Sequence, residues 1–288
     1  MPVRVGITLG DPAGIGPEIV RAAINSGRLP QGVEYQCIGE SAGSVPGKPT
    51  PDSARAALAA LDQAAQLVRA GEINAIVTGP IHKARMSEVG FAFPGQTEFF
   101  AARAEVTNFA MLLTAGTITV ALVTTHIPLH EVPHALTTFE IVRVGKLLAN
   151  FLRNRGNHRP RIAVAGLNPH AGESGKLGRE EIETITPAIE QLRRAAAEAE
   201  FEGPISPDTL FFHLVRGHWD PALCMYHDQG LIPLKLHGFD VGVNVTLGLP
   251  FPRTSPDHGT AFDIANKNMA RPDSMIAAIN LAVELCGK

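Results

Sequence analysis

The sequence predicts an α/β fold with mainly parallel strands, and two observations carry that expectation. Short apolar runs alternate with longer amphipathic ones along the whole chain, the pattern of strand–helix–strand units. At 288 residues with 45% hydrophobic content, the chain has core enough for two lobes sharing a cleft or for one large α/β unit.

The first expected strand is Val3–Leu9, followed by the glycine-rich turn GDPAGIGPE. Pro17 suits the first position of a helix, where its missing N–H costs nothing, and Glu18 suits the positive end of the helix dipole. The turn is not a Rossmann fingerprint, because after Gly14 and Gly16 the place of the third glycine holds Ile19. Val33–Ile38 reads as the next strand. Between Glu40 and Pro51 the stretch SAGSVPGKPTP is small, polar and proline-rich, and reads as a loop. Asp52-Ser53 precede an alanine-rich helix to about Ala70, with Gly71 as its stop signal. Ile73–Thr78, Ala110–Thr114 and Thr119–Thr124 follow as strands. Thr137 and Glu140 have capping-box spacing for a helix through Leu152 that ends near Gly156. Arg161–Gly166 and Leu223–Tyr226 complete the predicted strands, and a short helix is expected at Thr260–Ala265.

Charge narrows the function classes. With 25 basic and 28 acidic residues the net charge is −3, which offers no broad surface to nucleic acid and favours small-molecule chemistry. Cys37, Cys224 and Cys286 are far apart and form no C-x-x-C pair, so neither a disulfide framework nor a cysteine zinc site is expected. A reducing, cytoplasmic location fits. Neither a signal peptide nor a membrane span is expected.

The chemistry concentrates at strand ends. His82 in TGPIHK, His126 in TTHIPL, His170 in LNPHAGE and His227 in MYHDQG each follow a predicted strand, and ligands of α/β sheets collect beyond the carboxyl ends of the strands. A lone histidine is more often an ordinary polar residue, but imidazoles from separate loops are a common way to build a divalent-metal site with open positions. His130-Glu131-Val132-Pro133-His134 matches the H-E-x-x-H string of zinc hydrolases, which needs a continuous helix. Pro133 disrupts a helix interior, so His130 and His134 are expected to face solvent. Gly172 and Gly175-Lys176 fall short of a phosphate loop, because Leu177 replaces the required Ser or Thr. Further on, Asn244, Arg253, Asp257 and His258 are polar groups among glycines and prolines. Arg253 suits a phosphate or carboxylate, and Lys235 adds a point charge.

Taken together, GDPAGIGPE, TGPIHK, GQTEFF, TTHIPL, LNPHAGE, MYHDQG, GVNVTLGLPF and RTSPDHGTAFDIA resemble, in order and over nearly the whole chain, the 4-hydroxythreonine-4-phosphate dehydrogenases of vitamin B6 biosynthesis. The resemblance implies an isocitrate/isopropylmalate-dehydrogenase-like fold, two α/β lobes around a central cleft. Residues 1–97 with 246–288 would form the cofactor-side lobe, and 98–245 the metal-binding and dimerisation lobe. It implies NAD-dependent oxidation of 4-phosphooxy-L-threonine, with NADP as the alternative nucleotide, and decarboxylation of the 3-oxo acid to 3-amino-2-oxopropyl phosphate. Family members are homodimers whose metal histidines come from both subunits and match His126, His170 and His227. Three imidazoles accept zinc, cobalt, nickel, manganese or magnesium.

Substrate positions carry over to Gln96, Thr97, Lys235, Asn244 and Arg253. His258, Gly259, Ala261 and Asp263 are the cofactor candidates, since HGTAFDIANKNMARP resembles the adenosine loop of decarboxylating dehydrogenases. Their GDGIGPE opening likewise resembles GDPAGIGPE. Asp228 and Lys235 are the candidates for general base. Gln96 stands where family members typically carry histidine, and a glutamine hydrogen-bonds but cannot hold positive charge. The chain is also shorter than usual around SAGSVPGKPTP. Relatives of similar sequence oxidise erythronate or threonate 4-phosphate, or aromatic cis-dihydrodiols; Lys235 and Arg253 suit a phosphate better than an uncharged diol. A zinc hydrolase built on His130 and His134, and a catalytically silent metabolite binder, are the readings from other classes.

Overall fold

The computed structural model describes residues 2–41 and 43–287. Among the described residues ten strands occur in chain order: β1 (Arg4–Thr8), β2 (Glu34–Ile38), β3 (Ala75–Thr78), β4 (Ala110–Ala115), β5 (Ile118–Leu122), β6 (Arg161–Ala165), β7 (Glu200–Ile205), β8 (Ala222–Cys224), β9 (Val243–Leu247) and β10 (Arg253–Pro256). The chain divides into two compact units, Met1–Thr107 with Asp240–Lys288, and Asn108–Phe239.

In the first unit the strand order is β2-β1-β3-β10-β9, parallel except for the antiparallel β10–β9 pair. β3 is buried at every residue, as a central parallel strand covered on both faces must be. The helix Pro51–Arg69 buries Ala54, Ala57, Leu61, Ala64, Ala65 and Val68, the three-and-four spacing of one apolar stripe. It packs this stripe into a core with Ile38, Ile73, Ile76, Phe99 and Phe100. A capping box starts it: Ser53 N donates to Thr50 Oγ1 at 3.2 Å, and Thr50 N donates to Ser53 Oγ at 3.1 Å. The cap therefore lies just before the predicted start, because Thr50 precedes a proline at the first helical position.

In the second unit the order is β4-β5-β8-β6-β7, with only the β4–β5 hairpin antiparallel. The helix Thr138–Asn154 is capped by Thr137, whose Oγ1 accepts from Glu140 N at 3.2 Å. It buries Ile141, Val144, Gly145, Leu148 and Leu152. A Cβ at Gly145 would stand 2.8 Å from Leu192, so glycine permits the close approach of the helix Thr186–Ala195.

Three strands escape the hydrophobic pattern, for physical reasons. β7, EFEGPI, lacks alternation and contains Gly203-Pro204. β9 and β10 carry buried polar side chains, Thr246, Arg253, Thr254 and Ser255, so their burial serves polar contacts. The helix expected at Thr260–Ala265 is instead a single 3-10 turn at Phe262–Ile264, entered through Ala261 at φ 40°. A left-handed residue at the entry stops an α-helix from propagating. Among the described residues no helix is long and apolar enough to cross a membrane.

Candidate active site

In the second unit, hydrogen bonds tie together the carboxyl ends of three neighbouring strands, β5, β8 and β6. After β5, Thr124 donates both its N–H (3.2 Å) and its Oγ1–H (2.8 Å) to the Met225 carbonyl beyond β8. Met225 N donates to Gln229 Oε1 at 2.7 Å, and Gln229 Nε2 donates to the Gly166 carbonyl beyond β6 at 2.7 Å. Gln229 is 6% exposed, so both bonds are made away from water. These ties set the segments that carry His126, His227 and His170.

The rings of His126 and His227 lie with centroids 5.5 Å apart. Two imidazoles on one ion, at metal–nitrogen distances of about 2 Å, hold their centroids about 5 Å apart, so this pair matches a two-ligand half-site. His227 Nδ1 is 2.7 Å from Asp228 Oδ1. An ionised carboxylate only accepts, so this contact favours a proton on Nδ1, the arrangement that in a neutral ring leaves Nε2 for a metal.

His170 stands apart from that pair. Among the described residues no group of three His, Cys, Asp or Glu side chains is placed to hold a metal. His170 opens a left-handed turn in which His170, Ala171, Gly172, Glu173 and Ser174 all have φ between 42° and 78°. Such a backbone costs roughly 1–2 kcal/mol at each non-glycine residue, so the surroundings must enforce it. His170 Nδ1 lies 2.9 Å from Glu173 Oε1. This hydrogen bond, and then the Glu173 charge, raise the His170 pKa above the usual histidine value. His130 and His134 fall on a 3-10 turn, Leu129–Glu131, and a short helix, Val132–Ala135, and both are exposed.

In the first unit the structure gathers Gln96, Thr97 and Arg253. Arg253 is 2% exposed. It donates from Nη2 to Thr78 Oγ1 at 2.5 Å and to Gln96 Oε1 at 3.1 Å, and from Nη1 to Thr246 Oγ1 at 3.3 Å. Its Nε is buried without a partner, and among the described residues no carboxylate is within ion-pair distance of it. Burial pulls its pKa down to about 10, partly opposed by the Glu98 charge. A buried guanidinium held by neutral oxygens alone has the chemistry to accept an anion. Gln96 Nε2 donates to the Gly79 carbonyl at 3.2 Å, so both ends of that amide are engaged. Thr97 Oγ1 is 3.3 Å from Thr246 Oγ1. Asn244 shares a strand face with Thr246, and its Oδ1 is buried without a partner.

The four cofactor candidates share one loop of the first unit. His258 Nδ1 is 3.1 Å from the Gly259 carbonyl, and its Nε2 is buried without a partner. Ala261 is left-handed and Asp263 is exposed. The GDPAGIGPE turn packs directly on this loop: Ile15 N donates to the Thr260 carbonyl at 2.9 Å, and Glu18 Oε2 accepts from Asn266 N at 2.5 Å. A Cβ at Gly14 would stand 2.7 Å from Thr260 O, and one at Gly16 1.8 Å from Leu9 O. The glycines of the motif thus serve close backbone approach. Lys235 lies in the second unit on the helix His227–Gly238, its Nζ 5.8 Å from the Phe239 ring centre.

Thr78, Thr124, Gln229, Thr246 and Glu181 were not singled out in the sequence. Thr78, Thr124, Gln229 and Thr246 sit inside the motifs TGPIHK, TTHIPL, MYHDQG and GVNVTLGLPF, which is the only signal that could have found them. Glu181 has no local signal at all.

The family model described as "Pyridoxal phosphate biosynthetic protein PdxA" matches residues 20–282. The 4-hydroxythreonine-4-phosphate dehydrogenase of Caulobacter vibrioides is 42% identical, over 99% of this chain and 98% of its own. Among solved structures, the 4-hydroxythreonine-4-phosphate dehydrogenase of Klebsiella pneumoniae superposes with a TM-score of 0.82 at 36% identity, covering 99% of this chain and 100% of that one. The isocitrate dehydrogenase of Methylococcus capsulatus shares the fold, with a TM-score of 0.57 at 20% identity over 99% of this chain and 86% of its own.

Proposed function

The chain belongs to the family of the pyridoxal phosphate biosynthetic protein PdxA, and on that premise we propose that it oxidises the C3 hydroxyl of 4-phosphooxy-L-threonine with NAD and a divalent metal. The chain is an oxidoreductase of the 4-hydroxythreonine-4-phosphate dehydrogenase type. The 3-oxo acid formed, 2-amino-3-oxo-4-phosphooxybutanoate, loses carbon dioxide to leave 3-amino-2-oxopropyl phosphate. The observation that carries the substrate assignment is the buried Arg253 among Thr78, Thr246 and Gln96, with no carboxylate within ion-pair distance among the described residues. A phosphorylated acid supplies a direct anionic partner to the guanidinium, whose Nε is otherwise unpaired.

The chain's own residues divide the work. Arg253 binds an anionic group of the substrate, and Thr97 and Gln96 line the same place. Asn244 offers an acceptor to a substrate N–H or O–H, which gives its orphaned Oδ1 a partner. The imidazoles of His126 and His227 fit a shared ion by their 5.5 Å spacing, and Asp228 holds His227 in the ligating tautomer. His170 would complete the set across a homodimer, one protomer supplying the pair and its partner the third ring. A bound divalent ion would supply Lewis-acid chemistry at the hydroxyl, and bound NAD would supply the hydride acceptor. Asp228 and Lys235 are the candidates to take the hydroxyl proton. The loop of His258, Gly259, Ala261 and Asp263 faces the nucleotide, with His258 Nε2 as its unpartnered polar atom.

The test is NADH formation by the purified protein with 4-phosphooxy-L-threonine, beside erythronate and threonate 4-phosphates, with and without a chelator. Chelator-sensitive turnover of the threonine derivative is the expected result. Preference for a sugar-acid phosphate moves the substrate while keeping the chemistry. That second reading is favoured by Gln96, a neutral amide with both ends occupied. Silence with all three substrates overturns the proposal.

A further inference from the structure

We infer that Glu181 is a positioning residue: its buried carboxylate holds the left-handed turn His170–Ser174 and thereby aims the His170 imidazole. The inference rests on the reading of His170 as a metal ligand and names the group that makes that role possible.

Glu181 is 3% exposed. Its Oε1 accepts from Leu167 N at 2.8 Å and from Asn168 N at 2.7 Å, and its Oε2 accepts from Asn168 Nδ2 at 2.9 Å. Leu167 and Asn168 are the residues by which the chain leaves β6 and enters the turn, so the carboxylate grips the turn at its root. No Lys, Arg or His pairs with Glu181 among the described residues. Its charge is met entirely by neutral N–H donors, which is costly to bury unless the geometry serves a purpose.

The turn also closes over the carboxylate from its far side. Gly172, at φ +78°, lies so near that a Cβ there would stand 2.6 Å from Glu181 Oε2. Gly178, at φ +133°, approaches Asn168 in the same way, with a Cβ position 2.3 Å from Nδ2. Asn168 Nδ2 also donates to Glu180 Oε2 at 2.7 Å. Glu181 itself opens a π-type turn, Glu181–Ile185, and such wide turns within helices are frequent at functional sites. Thr138 Oγ1 donates to the Thr184 carbonyl of that turn at 3.1 Å. Four non-glycine residues in left-handed conformation do not persist on local preference. The carboxylate is the group in contact with both the entry and the apex of the turn, so it is the element that enforces it.

The experiment compares wild type, E181A, E181Q, H170A and the E181A/H170A double variant, each as the full chain. Amide hydrogen exchange of the 166–178 segment reports the turn without any metal. Cobalt(II) titration of the metal-stripped protein reports the imidazole. In E181A, exchange of the segment rises at least about tenfold and cobalt affinity falls roughly 10- to 100-fold. H170A loses cobalt affinity without the rise in exchange, and the double variant binds cobalt no worse than H170A alone. E181Q keeps an oxygen for both backbone N–H groups and loses only the bond from Asn168 Nδ2, so it recovers most of both readouts. Should E181A fail to fold, E181Q carries the same comparison with a smaller rise in exchange.

Unchanged exchange in E181A overturns the inference. So do cobalt losses that multiply in the double variant, because a residue acting only on global stability would give that result. If H170A binds cobalt like wild type, the metal role of His170 fails, and exchange alone then decides whether Glu181 holds the turn.

Discussion

Gln229 Nε2 donates to the Gly166 carbonyl at 2.7 Å, tying the segment that carries His227 to the strand end that leads to His170. The same side chain accepts from Met225 N, so one buried amide satisfies two main-chain groups. Q229L would leave both unpaired in a dry setting. We expect it to destabilise the protein by roughly 2–4 kcal/mol, read from the urea midpoint, and to weaken metal retention beyond what the loss of stability explains.

Arg253 makes a prediction in which stability and binding move apart. R253M removes a buried charge that lacks a counter-ion, so without ligand the variant should be at least as stable as wild type. Its kcat/KM for a phosphorylated substrate should fall roughly 10²-fold or more. Inorganic phosphate should raise the Tm of wild type and leave R253M unmoved. The pH sense follows from a folded-state pKa of about 10, below that of an unfolded arginine. The cost of the buried charge is present below about pH 10 and is relieved as pH rises through that value. Anion binding that depends on the charge fades over the same range.

The two histidine pairs separate cleanly. H126A and H227A should each lose bound metal, measured by atomic emission on the purified protein. H130A and H134A should keep it, because both side chains are exposed and their segment is a turn and a single helical turn. Metal loss in the second pair would revive the hydrolase reading.

Asp273 supplies a stability test remote from the candidate catalytic residues. Arg28 Nη1 donates to its carboxylate at 2.8 Å, and this bond holds the Asp273 pKa below the usual range. A depressed carboxyl contributes stability above its unfolded pKa of about 4, and that contribution is lost as pH falls through the lower folded value. Arg28 is 56% exposed, so the pair is worth under about 1 kcal/mol. D273N should therefore lower the urea midpoint slightly at pH 7, and the difference from wild type should vanish in acid.

The strands with continuous apolar runs, such as β1, β3 and β5, were legible because burial on both faces leaves a compositional mark. β9 and β10 were not, because Thr246, Arg253, Thr254 and Ser255 are buried polar residues whose burial makes sense only beside one another. The candidate residues could be named from their motifs, but a motif does not say what a side chain touches. Gln96 could be noticed as a glutamine, while its engagement with Gly79 and Arg253 could not. The Thr260–Ala265 helix failed because its periodicity is local, whereas Ala261 is left-handed and the carbonyl of Thr260 before it is held by Ile15 N of the GDPAGIGPE turn.

Alternation, caps and glycine-rich turns are properties of neighbours in the chain, so the sequence by itself determined the α/β class, the placement of seven strands, and the family to which the motifs belong. Contacts between residues far apart in the chain were decided only in the tertiary structure. The Arg253 cluster joins Thr78, Gln96 and Thr246, the Thr124 and Gln229 bonds join strand ends, and the Glu181 bonds join a helical turn to the end of β6, none of which a local pattern relates. A buried polar group is stable only when its partners are supplied, and those partners come from wherever the fold brings the chain back.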